Sequence, residues 1–328
     1  MIAPVRRPAI DDVTAAAARI ADIARRTPLV RSAWLSTVTG ADVWLKLEGD
    51  QPTGSFKIRG AANAIHRLAV ERPSVRAVMT ASAGNHGLAL AFVAARFGLT
   101  ARVHLPASAP GAKRQALQDL GADIVEAASY DEAEARAQRE ASAPGSRAVF
   151  VSAYSHPDVI AGAGTTALEM LAGQPDLDTI VAPVGGGGLL SGIAIVFRAR
   201  ASAGALVIGA EAEASPVWRH GLAAGRPVPV DVRPTLADGL AGNMEPDSVT
   251  FELVRDLVDR VVSVDEAAIG SAMRDLLIKE HVTAEGAAAT GVAALVQPFD
   301  RLDLGGRRIG VIVSGRNADP DVLAGLLS

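Results

Sequence analysis

Val181-Ala182-Pro183-Val184-Gly185-Gly186-Gly187-Gly188-Leu189-Leu190 is the stretch that decides the fold. A short apolar run, four consecutive glycines and a segment of helical period read as strand, tight loop and helix. Glycines let the main chain approach an anion closely and turn several N–H groups toward it, and the dipole of the following helix favours the negative charge. The loop therefore reads as a phosphate cradle. It is not a Walker A loop, because no Gly-Lys-Ser/Thr follows. Nor is it the dinucleotide fingerprint, because Leu190 stands where a third glycine is needed. A looser pattern, Gly162-Ala163-Gly164-Thr165-Thr166-Ala167, follows no convincing strand.

Outward from this stretch, short Val/Ile-rich runs alternate with longer Ala/Leu-rich ones. Strands are expected near Asp42–Leu47, Val75–Thr80, Ala101–Leu105, Asp123–Glu126, Ala148–Ser152, Thr179–Val184, Leu206–Glu211 and Arg307–Ser314. Helices are expected near Asp11–Arg25, Lys57–Glu71, Gly87–Phe97, Gly111–Leu120, Asp131–Glu140, Gly162–Leu171, Leu189–Ala201, Asp247–Leu257, Asp265–Lys279 and Gly286–Val296. Such alternation, with near-continuous apolar strands, argues for an α/β protein of parallel sheets covered on both faces. Pro73 should end the helix that begins at Lys57, and Gly98 and Gly121 read as helix C-caps. Residues 75–152 read as a small four-stranded domain. Residues 1–67 and 153–328 read as a discontinuous large domain, with 68–74 as the connection. A cleft between the two is where a ligand belongs.

The bulk numbers exclude several classes. With 328 residues, 49% of them hydrophobic, the chain can build two lobes and a sizeable core. The net charge of −4 comes with no basic block, so neither nucleic acid nor a membrane surface is an expected partner. Cysteine is absent, which removes disulfides and thiolate metal sites, and the six histidines show no ligand spacing. Charged residues from Arg6 to Asp22 interrupt any signal-peptide core, and no apolar run reaches the roughly 18 residues of a membrane span. A soluble cytoplasmic protein is expected.

Three further segments carry chemistry. Lys57 is one of four lysines and sits in Gln51-Pro52-Thr53-Gly54-Ser55-Phe56-Lys57-Ile58-Arg59-Gly60. A partly desolvated lysine has a lowered pKa and becomes a usable amine nucleophile or base, which suits an aldehyde cofactor. Ser82-Ala83-Gly84-Asn85-His86-Gly87 follows an expected strand and opens a helix, a second anion cradle suited to a carboxylate, with Asn85 able to hydrogen-bond a phenolic oxygen. Ser314, in Val313-Ser314-Gly315-Arg316-Asn317, ends a buried strand, where a neutral hydroxyl can meet a ring nitrogen without protonating it.

In their order along the chain these segments resemble the fold-type II pyridoxal-phosphate enzymes, and among them the serine/threonine dehydratase and serine racemase family. The resemblance runs from about Thr27 to Asn317 and includes Val159-Ile160-Ala161-Gly162 and Thr235-Leu236-Ala237-Asp238-Gly239. It implies a two-lobed fold, pyridoxal 5'-phosphate as cofactor, an amino acid substrate and a homodimer. It implies that Lys57 forms a Schiff base with the aldehyde and then acts as the base at Cα. Phe56 would pack beside the ring, Asn85 bond the phenolic oxygen, Gly185, Gly186, Gly187, Gly188 and Leu189 hold the phosphate, and Ser314 meet the pyridine nitrogen. Gly239 and Glu285 complete the cofactor set. Ser82, Ala83, Gly84, Asn85, His86 and Tyr154 would receive the substrate, with Ser82 also a catalytic candidate. The implied reaction is dehydration of threonine or serine, through loss of the β-hydroxyl to an enamine that hydrolyses to a 2-keto acid and ammonia.

The chain also departs from that family. Ala83 replaces a serine that racemases place on the opposite cofactor face, and racemisation needs acid/base groups on both faces, so dehydration outranks it. Glu211 matches one ligand of a divalent cation such as Mg²⁺, but Val217 stands for the second carboxylate unless Glu213 shifts the alignment, so no metal ligand is assigned. Arg316 replaces a glycine, either near the cofactor ring, where it could bind a second acidic group on the substrate, or toward solvent. Tyr154-Ser155-His156 replaces a more acidic segment, which admits hydroxyaspartate, a bulkier β-hydroxy amino acid or hydroxyectoine as substrate. With no tail after Ser328, isoleucine regulation is not expected. Rival readings are a β-replacement synthase with the same cofactor and a non-catalytic amino-acid-binding protein.

Overall fold

Valine and isoleucine runs build two separate sheets. The computed structural model describes residues 6–107, 109, 111–297 and 302–327, so the expected outer domain limits at 1 and 328, and the chain end at Ser328, lie outside it. The strands are β1 Leu29–Arg31, β2 Asp42–Leu47, β3 Ala77–Ala81, β4 Thr100–Pro106, β5 Asp123–Ala127, β6 Ala148–Phe150, β7 Thr179–Pro183, β8 Leu206–Ala212, β9 Arg260–Val264 and β10 Arg308–Val313. The helices are α1 Ile10–Arg19, α2 Ala33–Thr39, α3 Lys57–Glu71, α4 Asn85–Arg96, α5 Gly111–Asp119, α6 Tyr130–Ser142 and α7 Pro157–Gly173. They continue as α8 Gly188–Arg200, α9 Val217–Ala224, α10 Val249–Leu257, α11 Glu266–Lys279, α12 Gly286–Val296 and α13 Pro320–Leu327.

One sheet has the order β1-β2-β10-β7-β8-β9 and the other β5-β4-β3-β6. Among the described strands every pairing is parallel except β1 with β2 at the edge. β7 is buried along its whole length, as a central strand covered on both faces must be. One core cluster joins α1, α7, α8 and α10 to the large sheet, and a second joins α11 and α12 to it. A third unites the small sheet with α3 and α4. The helix that starts at Lys57 thus contributes Ile58, Ala61, Ala62, Ala64 and Ile65 to the core of the small sheet, while also packing on α7.

Arg72 caps the end of α3 before Pro73, and Gly98 and Gly121 take the positive φ expected of residues that stop α4 and α5. The Gly162–Gly164 stretch lies inside α7, which begins five residues earlier than expected because Pro157 starts it and the His156 ring accepts the Asp158 N–H. Its glycines serve contact: a Cβ on Gly162 would fall 2.3 Å from the Arg59 carbonyl oxygen, and one on Gly164 would fall 2.8 Å from that of Gly192. Beneath this contact lies a buried ion network. Arg59 Nε and Nη2 each donate to Glu48 at 2.8 Å, and Nη1 donates to Glu169 at 2.6 Å. Lys46 completes it, 2.6 Å from Glu169.

Candidate active site

The turn before Lys57 is tied to the end of β10. Ser55 bridges Gly315, the Phe56 N–H donates to the Ser314 carbonyl at 3.0 Å, and the Arg316 N–H donates to the Gly54 carbonyl at 2.9 Å. Gly54 has φ +73°, and a Cβ there would lie 2.2 Å from Asn317 Oδ1. This turn delivers Lys57 at the first position of α3. Its half-buried Nζ donates to the Ala153 carbonyl at 2.9 Å and lies 5.2 Å from the Phe56 ring centroid. Burial lowers its pKa to about 8, against the opposing charge of Glu285.

The loop after β3 runs Ser82-Ala83-Gly84 into α4. Ser82 Oγ accepts the Gly84 N–H at 3.3 Å, so the serine first shapes its own loop. A Cβ on Gly84 would meet nothing within 4 Å, so this face is open. No side chain caps α4. The N–H groups of Asn85, His86 and Gly87 have no acceptor among the described residues. Asn85 Nδ2 donates to Glu285 Oε1 at 2.7 Å, which places Glu285, the N-cap of α12, directly behind Asn85. Burial raises the pKa of Glu285 to about 7. The His86 ring is committed inward: Nε2 faces the Val151 carbonyl at 3.1 Å, and burial with the Lys57 charge lowers its pKa to about 3. What His86 offers a carboxylate is its main-chain N–H. Ala83 packs against the small-sheet core and places no polar group there.

The glycine loop follows β7. Trp218 Nε1 holds the Gly185 carbonyl and Thr250 Oγ1 holds that of Gly186, each at 2.6 Å. With the carbonyls engaged there, the N–H groups of Gly185 through Leu189 are left without acceptors among the described residues, at the start of α8. Side chains have no room in this loop. A Cβ on Gly186 would lie 2.2 Å from the Tyr154 ring, and one on Gly185 would lie 2.9 Å from Leu240, next to Gly239. Tyr154 therefore covers the loop, and its hydroxyl accepts the Glu245 N–H at 2.9 Å. Ser314 is buried at the end of β10, and its hydroxyl has no partner among the described residues.

A lysine amine bonded only to a main-chain carbonyl among the described residues, two helix starts with free N–H groups, an open glycine and a free buried hydroxyl fit an aldehyde cofactor that carries a phosphate. A divalent cation does not fit. Both Glu211 oxygens are engaged, by the N–H groups of Trp218 and Arg219 and by the Ser263 hydroxyl, and Val217 is buried. No group of three or more candidate ligands occurs among the described residues.

Arg316 lies on the Gly49–Asp50 turn, 3.8 Å from Asp50 and half exposed, on the solvent side of the two alternatives. His156 is the N-cap of α7. The sequence reading overlooked the Ala153 carbonyl, the Trp218 and Thr250 clamps, Glu245 and Asn317. Only Asn317 had a signal, its place three residues after Ser314.

The fold and site define a pyridoxal-phosphate-dependent enzyme of fold type II. The chain belongs to the family described as "Pyridoxal-phosphate dependent enzyme", whose profile matches residues 20–315, and its cofactor is pyridoxal phosphate. It is 41% identical to an L-threonine ammonia-lyase of Thermotoga maritima, over 96% of this chain and 77% of the relative. It is 35% identical to an L-threo-3-hydroxyaspartate ammonia-lyase of Saccharomyces cerevisiae, over 98% of this chain and 97% of the relative. Its fold is similar to that of maize serine racemase, with TM-score 0.89, 33% identity, and 98% and 97% of the two chains covered.

Proposed function

We propose that the protein is an ammonia-lyase that converts a β-hydroxy amino acid with a neutral side chain, threonine or serine, to a 2-keto acid and ammonia. The observation that carries the reading is Lys57 Nζ, a half-buried amine with a pKa near 8 and no carboxylate hydrogen-bonded to it among the described residues. Such an amine is a nucleophile toward an aldehyde and a base at neutral pH. The bound cofactor supplies the electron sink for breaking a bond at Cα.

The chain's residues do the rest. The N–H groups of Gly185 to Leu189 would hold the phosphate, and the Ser314 hydroxyl would meet the pyridine nitrogen. The Asn85 amide would bond the phenolic oxygen, with Phe56 beside the ring. Gly239 sits against the start of α12 and backs the glycine loop. The Ser82 loop and the first N–H groups of α4 take the substrate carboxylate, and Tyr154 bounds the pocket. Lys57 Nζ removes the Cα proton. The Cβ–OH bond then breaks as the Cα–Cβ double bond forms, the hydroxide leaves as water with the proton that Lys57 Nζ took from Cα, and the released enamine takes up water to give the 2-keto acid and ammonia. Ala83 places no acid on the opposite face, which supports elimination over racemisation. Arg316 and Lys113 are paired with Asp50 and Asp238, which supports a substrate without a second carboxylate.

The test is release of keto acid and ammonia from L-threonine, L-serine, L-threo-3-hydroxyaspartate and hydroxyectoine, with no added nucleophile. Threonine or serine should turn over fastest, and Lys57→Ala should abolish both turnover and the visible absorbance of lysine-bound cofactor. Turnover that survives Lys57→Ala, or that needs an added nucleophile, overturns the reading. We also propose a homodimer, as the sequence resemblance implies, and a cytoplasmic location, to be checked by light scattering and fractionation.

A further inference from the structure

Asn317 enters none of the roles assigned above, yet its side-chain amide joins two of the segments that carry them. Its Nδ2 donates to the Thr53 carbonyl at 2.9 Å and to Asn85 Oδ1 at 2.7 Å. Thr53 lies in the turn before Lys57, and Asn85 opens α4 beside the small sheet. Asn317 is thereby a strut between the lysine turn and the asparagine.

An asparagine amide presents a donating end and an accepting end of nearly the same shape. Here a main-chain oxygen settles which end is which. The Thr53 carbonyl can only accept, so the Asn317 atom against it is the nitrogen. That nitrogen carries two N–H bonds, and the second points at Asn85, which must answer with its oxygen. The Asn85 nitrogen then lies at Glu285 Oε1, an acceptor, 2.7 Å away. One Asn85 N–H is used there, and the other has no acceptor among the described residues.

We propose that Asn317 is a positioning residue: anchored on the Thr53 carbonyl, it dictates which way round the Asn85 amide is held, so that an N–H and not a carbonyl is offered to the phenolic oxygen of the cofactor. The inference rests on reading Asn85 as the partner of that oxygen. An ionised phenolic oxygen is stabilised by a donor and repelled by a carbonyl lone pair. The neighbouring turn is shaped to the strut, since Gly54 leaves no space for a Cβ beside Asn317 Oδ1. Asn317 itself is exposed, so water competes for its bonds and the effect is bounded.

The near-isosteric Asn317→Asp replaces a donor by an acceptor and should turn the Asn85 amide over, whereas Asn317→Ala merely releases it. Two readouts need no turnover: the dissociation constant of the apoprotein for pyridoxal phosphate, and the pH midpoint of the visible band of bound cofactor. Both are taken in high salt, where an exposed added charge is largely screened. For Asn317→Asp the dissociation constant should rise about tenfold, the scale of one misplaced neutral hydrogen bond, and the midpoint should move up. Asn317→Ala should do less in both, with unfolding temperatures close to the parent's. Equal effects of the two substitutions, or none, overturn the inference. A parent protein that binds the cofactor yet releases no keto acid overturns the proposed reaction while leaving these two readouts to judge Asn317. A parent that takes up no cofactor overturns both.

Discussion

Arg59→Leu should damage the protein more than any surface change, through a carboxylate that it strands. Arg59 is 1% exposed and Glu48 is fully buried, with two Arg59 nitrogens on its two oxygens. After the substitution Glu48 keeps only the Thr27 hydroxyl at 2.6 Å and Gln51 Nε2 at 3.2 Å, while Lys46 still neutralises Glu169. Removing one partner of a buried pair costs about 3–5 kcal/mol. At roughly 2–4 °C per kcal/mol, the thermal midpoint should fall by about 10 °C. The sign with pH is definite. In the parent, burial pushes the Glu48 pKa up, but the Arg59 charge and hydrogen bonds outweigh it and the net shift is downward. That contribution is present above the unfolded carboxylate pKa and is lost as pH falls through the folded value. Without Arg59, burial is opposed only by the Lys46 charge and the Thr27 hydroxyl, the folded carboxyl is pushed upward, and the variant loses stability as pH rises from about 5 to 8. Urea titrations of the apoprotein at pH 5 and 8, with Glu48→Gln in both backgrounds, read all of this. An Arg59→Leu protein within about 1 kcal/mol of its parent at pH 8, or a double variant no more stable than the single one, would refute the reasoning.

Gly186→Val should place its Cβ in the Tyr154 ring and abolish cofactor retention on gel filtration, whereas Gly111→Ala, with open space around it, should retain the cofactor fully. Lys57 has a folded pKa of about 8 against 10.5, so the unfolded chain holds the extra proton between those values. The apoprotein should therefore gain stability as pH rises from 8 to 10.5, and Lys57→Met should flatten that rise in a denaturant series. Prolonged dialysis against EDTA should leave activity and thermal midpoint unchanged, because helix N–H groups already satisfy Glu211. A midpoint several degrees higher in millimolar Mg²⁺ would contradict this.

Where periodicity was long, the sequence was a reliable guide. α3 and α12 have the expected limits, and each expected strand is present to within a few residues. What escaped was short or lacked a boundary signal. β1 has three residues at a sheet edge, and β9 follows α10 after only Val258 and Asp259, with no glycine or proline between them. The helices α2, α9 and α13 have seven or eight residues each, too few for periodicity to register. The site's segments were legible because each is a local motif. The contacts that hold them were not: Asn85 meets Asn317 across 232 positions and Glu285 across 200. No local pattern encodes such pairings.

The close approach of α3, α7 and α8 constrains which genetic changes the protein can survive. Gly60, Gly162, Gly164 and Gly192 meet main-chain atoms at distances a Cβ cannot share. Every amino-acid change at a glycine codon adds that carbon. In a saturation scan these four codons should be depleted as severely as the codon for Lys57, although none encodes a reacting group. Alleles there would be mistaken for lesions in the chemistry when what they break is the seating of the helix that presents the amine.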